Sequence, residues 1–141
     1  MERRSFIKQS CQACAAIALG PALVAALESC ASTAVLKTTA QNNIVSVPLT
    51  AFAEKNQVTL RVSGRAFDLL CVKVEENTFR TLEMKCTHQD QPLVSSGKSL
   101  YCNSHGSQFD LEGKVLKDPA SRPLRKFVTA VEGEQVLIQL S

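Results

Sequence analysis

From residue 44 onward the chain is built of short apolar or alternating runs separated by polar punctuation. Stretches 44–47, 58–62, 67–74 and 79–85 are β-branched or apolar runs of strand length. The series resumes at 115–116, 127–131 and 136–140. Ser63-Gly64, Glu75-Glu76-Asn77 and Glu132-Gly133-Glu134 mark turns, the last joining two runs as a hairpin. Residues 49–56 have room for one helical turn. Many short strands with turn signals between them predict an all-β fold, an antiparallel barrel or sandwich. No internal repeat or low-complexity tract interrupts it.

The beginning of the chain is patterned differently. Residues 13–27 form an apolar run broken by Gly20-Pro21. As a helix this run would span ~22 Å at 1.5 Å per residue, short of a ~30 Å hydrocarbon core. It reads as the hydrophobic region of an export signal rather than a permanent span. Just before it, Arg3-Arg4-Ser5-Phe6-Ile7-Lys8 resembles a twin-arginine signal, an export route for folded proteins with cofactors already inserted. Leu27-Glu28-Ser29-Cys30 is similar to a lipoprotein cleavage box, although Glu28 stands where a small or apolar residue is usual. That reading makes Cys30 the lipidated first residue of the mature chain. Cleavage after Ala31 or Ala34 would release a soluble protein instead, and an uncleaved anchor is the third route. Residues 31–43, rich in Ser, Thr, Ala, Gln and Asn, read as a tether. The expected plan is a signal segment 1–30, a tether 31–43 and a folded domain 44–141.

Composition narrows the function. The 16 Lys and Arg against 13 Asp and Glu are scattered rather than clustered, which is not the footprint of a nucleic-acid binder. With Tyr101 the only Tyr and no Trp, a stacking platform for single strands is missing too. Of the six cysteines, Cys11, Cys14 and Cys30 belong to the N-terminal segment, and Cys71 reads as a small buried apolar residue within a strand. Cys86 and Cys102 remain, and no internal disulfide is expected.

Both histidines of the chain stand beside those two cysteines, as Cys86-Thr87-His88 and Cys102-Asn103-Ser104-His105. Each pair ends a segment that reads as a strand, so both sit on tight loops. Two thiolates and two imidazoles suit an iron–sulfur group or zinc. Zinc modules usually space their ligands by two to four residues, and the one-residue gap of the first pair departs from that habit.

The pattern Cys-Thr-His-Gln-x-x-Pro-Leu, then Cys-x-x-His-Gly-Ser-x-Phe-Asp, then Gly113 and the Pro-bounded stretch 118–124 resembles the Rieske 2Fe-2S proteins across 44–141. The resemblance implies one 2Fe-2S cluster per chain. Cys86 and Cys102 would hold the inner iron, and His88 and His105 the outer iron near the surface. It also implies a small cluster-binding subdomain, about 84–124, inserted into the β base. Gly106 would let the backbone approach a sulfur, and Ser107 would donate its hydroxyl to a bridging sulfide. Pro119 and Pro123 would stiffen the loop over the cluster.

Three departures bear on the reduction potential. Gln91 and Ser104 stand where high-potential relatives carry a cross-linking cysteine pair. Phe109 stands where a tyrosine commonly donates to a cysteine sulfur. Asp90 stands where a Gly is common and adds negative charge beside the outer iron. All three point to a potential below that of disulfide-containing Rieske proteins.

The implied function is one-electron transfer at the periplasmic side of a membrane, as a small carrier or electron-transfer subunit with no catalytic site of its own. The expected partner is a quinol-oxidising complex, a cytochrome or the large subunit of an oxidoreductase. Membrane attachment would run through Cys30 or the N-terminal segment. One alternative is an uncleaved, membrane-anchored subunit of a quinol-oxidising cytochrome bc-type complex, and another is a zinc-stabilised interaction module. A Rieske oxygenase fails on ligand count, because its mononuclear iron needs two further His.

Overall fold

The computed structural model describes residues 35–141. The signal segment, with Arg3, Arg4, Cys11, Cys14 and Cys30, lies outside the described residues. Eleven strands make up the domain: β1 (Val35–Thr38), β2 (Ile44–Pro48), β3 (Gln57–Val62), β4 (Leu69–Glu75), β5 (Thr78–Glu83), β6 (Leu93–Ser95), β7 (Leu100–Cys102), β8 (Gln108–Phe109), β9 (Val115–Lys117), β10 (Lys126–Glu132) and β11 (Gln135–Gln139). A single 3-10 turn, Leu49–Phe52, occupies the interval where one helical turn was expected. Among the described residues no helix is long and apolar enough to cross a membrane.

Seven strands form a nearly closed, barrel-like sheet in the order β1-β3-β4-β5-β10-β11-β2, and β6-β7-β8-β9 form a second sheet. The all-β expectation therefore holds, with one parallel pair added to the antiparallel rest. That pair corrects the tether. Val35–Thr38 runs parallel to β3, Val35 opposite Thr59 and Thr38 opposite Val62, so ordered chain begins at least nine residues before Ile44. Val35, Leu36 and Thr38 suit a strand, and the free side of β3 offers them a ladder partner far along the chain.

Burial follows from side-chain alternation. In β2 Val45 and Val47 point inward, and in β11 Val136 and Ile138 do. β4 is different, because Leu69, Leu70, Cys71 and Val72 are all buried. Leu69 and Cys71 join the barrel core with Val45, Leu60, Val136 and Ile138. Leu70 and Val72 face the other way, into a second core with Leu82, Leu93, Leu100 and Phe109. A strand covered on both faces reads as a continuous apolar run, and β4 is the wall shared by the two cores.

The small sheet lies along that wall. At one end Gln57 Nε2 donates to Gly97 O at 2.6 Å, and further along Arg80 Nη1 donates to Leu111 O at 3.2 Å. Gly113 sets the spacing. Its φ is +84°, and a Cβ there would lie 3.1 Å from Leu82 Cδ2 and 3.4 Å from Leu124 Cβ. Only glycine meets both demands.

Candidate metal centre

The first loop leaves β5 and turns back into β6. Cys86 N–H donates to Gln91 O at 2.8 Å and Leu93 N–H to Met84 O at 3.0 Å, closing the loop at its base. Asp90 takes a positive φ of 23° to complete the turn, which accounts for a glycine being usual there. Its carboxylate pairs with Lys85 Nζ at 3.1 Å. The negative charge expected beside the outer iron is thus offset by a neighbouring cation.

The second loop leaves β7. Cys102 N–H donates to Ser107 O at 2.9 Å and Gly106 N–H to Cys102 O at 3.0 Å. Gly106 has φ +81°, and a Cβ there would meet no protein atom within 4 Å. Within the protein, glycine is required by the turn itself rather than by crowding.

The two loops bring Cys86, His88, Cys102 and His105 to one end of the second core. Cys86 is fully buried and Cys102 is 1% exposed, whereas His88 and His105 are exposed. The imidazole rings stand edge to face with centroids 4.9 Å apart. Burial pushes the Cys102 thiol up, but the backbone N–H groups of His105 and Ser104, the Cys86 thiol and the Ser104 hydroxyl together draw it below its ordinary value. Donors aimed at a sulfur favour the thiolate, which is the form that binds a metal.

The donors fall into two like pairs, a buried sulfur pair in mutual contact and an exposed imidazole pair. A single tetrahedral zinc needs its ligands around one point at ~2.0–2.3 Å. A two-iron group needs two separate pairs, so the donor set fits a 2Fe-2S cluster with thiolates inside and imidazoles outside.

A third loop clasps the other two. Ser107 is fully buried, and its Oγ accepts from Ala120 N–H at 3.0 Å. Thr87 Oγ1 donates to Arg122 O at 2.6 Å, and Arg122 Nη2 donates to Thr87 O at 3.3 Å. Leu124 N–H donates to Gly113 O at 2.8 Å. The Pro-bounded segment, with exposed Pro119 and Pro123, therefore ties both ligand loops together through protein contacts. Phe109 is fully buried in the same cluster as Cys86 and Cys102. The Thr87–Arg122 tie has no local sequence signal, since its partners are 35 residues apart. The Ser104 contact with Cys102 was equally hidden behind the expectation of a missing cysteine.

The family model described as Rieske [2Fe-2S] domain matches residues 43–128. Among solved structures, the cyanobacterial plasma membrane Rieske protein PetC3 from Synechocystis PCC 6803 is similar at 24% identity and TM-score 0.57, over 67% of this chain and 98% of that one. A chain in the complex of reduced oxygenase and oxidized ferredoxin in carbazole 1,9a-dioxygenase matches at 21% identity and TM-score 0.53, over 70% of this chain and 94% of that one. The ferredoxin of carbazole 1,9a-dioxygenase from Nocardioides aromaticivorans IC177 matches at 18% identity and TM-score 0.51, over 70% and 99%. No curated protein matches the chain. At these identities the structural likeness is one of fold.

Proposed function

This chain belongs to the Rieske [2Fe-2S] domain family, and we propose that Cys86 and Cys102 hold the inner iron of its cluster while His88 and His105 hold the outer one. The protein carries a Rieske-type 2Fe-2S cluster and serves Rieske-type electron transfer with a redox partner. When bound, the cluster supplies a one-electron couple. The observation that supports the ligand assignment is the segregation of donors, a buried thiol pair against an exposed imidazole pair with rings 4.9 Å apart.

Each chain group then has a definite task. The thiolates sit in an apolar core that excludes water. His88 and His105 carry the redox edge to the surface, where a partner can approach. Ser107 accepts from Ala120 and keeps its hydroxyl proton free for a sulfide. Phe109 offers no donor. The described cysteines, Cys71, Cys86 and Cys102, are free, so no disulfide braces the ligand loops. Fewer donors to the reduced, more negative cluster set its potential below that of disulfide-braced relatives. The Ser104 hydroxyl on Cys102 and the Lys85–Asp90 pair recover part of that difference.

We place the domain at the periplasmic face, exported through Arg3-Arg4 and held by lipid at Cys30. There it passes electrons to or from a separate quinol-oxidising complex, cytochrome or oxidoreductase. A redox titration of the purified chain followed by visible and paramagnetic resonance spectra tests the centre. The expected result is a coloured protein that becomes paramagnetic on reduction, and a colourless, zinc-loaded chain overturns the assignment. For the location, Cys30→Ala should move the protein out of the detergent phase. Retention there would mean a different anchor.

A further inference from the structure

A cleft of about 440 Å³ opens beside the first ligand loop, lined by Glu83, Lys85, Thr87, Asp90, Arg122 and Arg125 among others. Its carboxylates are already engaged. Glu83 pairs with Arg65 at 2.6 Å and Asp90 with Lys85 at 3.1 Å. Arg122 and Arg125 have no carboxylate within salt-bridge distance among the described residues. Both are nonetheless held in place. Arg122 is tied to Thr87 in both directions, by Nη2 to Thr87 O at 3.3 Å and by its own carbonyl to Thr87 Oγ1 at 2.6 Å. Arg125 stacks its guanidinium on the Phe127 ring at 4.9 Å, and Arg65 lies 5.2 Å from the same ring.

We propose that this cleft is the docking site for an acidic segment of the redox-partner protein, with partner carboxylates pairing to Arg122 and Arg125. The inference rests on the cluster reading above and adds the chemistry of the partner's surface. Two uncompensated, pre-positioned guanidinium groups form rigid donor forks that match carboxylates bidentately. A cleft of this size admits a few side chains rather than a helix. Thr87 directly precedes His88, so a segment seated on Arg122 brings its protein against the exposed imidazole edge. With both carboxylates paired, the excess positive charge at this mouth also steers encounter with an acidic partner, by about tenfold in rate.

The test uses reduced, cluster-loaded protein in stopped flow at low ionic strength. Ferricyanide serves as anionic oxidant, tris(phenanthroline)cobalt(III) as cationic oxidant and poly-L-glutamate as acidic competitor. The variant Arg122→Gln/Arg125→Gln is compared with Lys55→Gln/Lys73→Gln, which removes the same charge at the far end of the sheet, where Lys73 pairs with Phe79 at the start of β5. The ferricyanide rate should fall about tenfold in the cleft variant and less than twofold in the control, with no fall for the cationic oxidant. Poly-L-glutamate should slow wild type and control but not the cleft variant. Equal slowing in both double variants overturns the proposal, since net charge alone would then explain it. A cleft-specific ferricyanide effect without competition by poly-L-glutamate also overturns it, leaving a small-anion site. If the double variant sheds its cluster, Arg125→Gln alone is read, with about a threefold fall expected and no fall counting against the cleft. Wild-type protein that binds no cluster refutes the ligand assignment instead, and is recognised before any rate is measured.

Discussion

Strand β4 separates two apolar cores, each core holds buried cysteine, and the chemistry of the sulfur differs between them. Cys71 in the barrel core and Cys102 in the second core are 0% and 1% exposed. Burial pushes the Cys71 thiol up to about 11, and the one group that opposes it is the Thr81 side chain. At Cys102 burial pushes the same way, but backbone and side-chain donors from 104 and 105 and the Cys86 thiol outweigh it. The cause is position in the strand. Cys71 lies within a ladder, opposite Val58 on one side and Thr81 on the other, where neighbouring N–H groups are committed to pairing. Cys102 is the last residue of β7, and the chain beyond it turns its N–H groups back onto the sulfur. A buried cysteine gains donors to its sulfur where the ladder ends.

The largest expected effect comes from removing a proposed ligand. Cys86→Ser should abolish the visible spectrum and the bound iron, and His105→Ala should do likewise, because binding couples to the local fold. The consequence for stability should stay on one side of β4. Hydrogen exchange should rise across 84–124 while β2, β10 and β11 keep their protection. Uniform loss of protection would show that the two cores are one cooperative unit. Full iron content in either variant would refute the ligand assignment.

Gly113→Ala probes the same face without touching a donor. The substitution places a Cβ 3.1 Å from Leu82 at a φ of +84°. A left-handed conformation and an overpacked contact together should cost roughly 2 kcal/mol. Urea unfolding measures this, and a loss under about 0.5 kcal/mol would mean that the 113–124 segment yields easily.

How much of this was readable beforehand follows the same division. The barrel strands β2, β10 and β11 announce themselves through alternation, and the two Cys-His pairs that the loops bring together through their spacing. The continuous run at Leu69-Leu70-Cys71-Val72 was legible as a strand, but not as a wall between two cores, since periodicity alone does not say what covers each face. β6 and β8 span three and two residues, too few to display a period. β1 escaped because its partner is a parallel strand remote in the chain. The clasp from Thr87 to Arg122 and from Ser107 to Ala120 is tertiary, between residues 35 and 13 apart, and leaves no local trace in the sequence.

The barrel-side cysteine should give a smaller and pH-dependent effect. Cys71→Ala removes one buried sulfur and should cost about 1 kcal/mol at neutral pH. The folded thiol titrates near 11 against an ordinary 9.0, so above pH 9 the unfolded chain releases a proton that the folded chain keeps. Wild-type stability from this group is therefore whole below pH 9 and falls as pH rises, by about 1.4 kcal/mol per unit. The alanine variant has no such group, and the gap between the two proteins should close or reverse between pH 9 and 11. A gap that stays constant would mean that Cys71 titrates alike in both states.

The smallest effect should come from adding a donor on the ligand side. Phe109 is fully buried in the cluster that contains Cys86 and Cys102, and Phe109→Tyr adds one hydroxyl at nearly constant volume. A hydrogen bond to a cysteine sulfur favours the reduced, more negative centre, so the midpoint potential should rise by tens of millivolts. Ser107→Ala is the reference in the opposite direction. It removes a hydroxyl proton available to a sulfide and orphans the Ala120 N–H that Ser107 Oγ accepts at 3.0 Å. Its potential should fall by a similar or larger amount, with about 1–3 kcal/mol of stability lost besides. Protein-film voltammetry at one pH, with iron content as control, separates the cases. If Ser107→Ala lowers the potential and Phe109→Tyr leaves it fixed while losing stability, the new hydroxyl is buried away from the sulfur. The ring at 109 then belongs to the packing of the second core and not to the electrostatics of the centre.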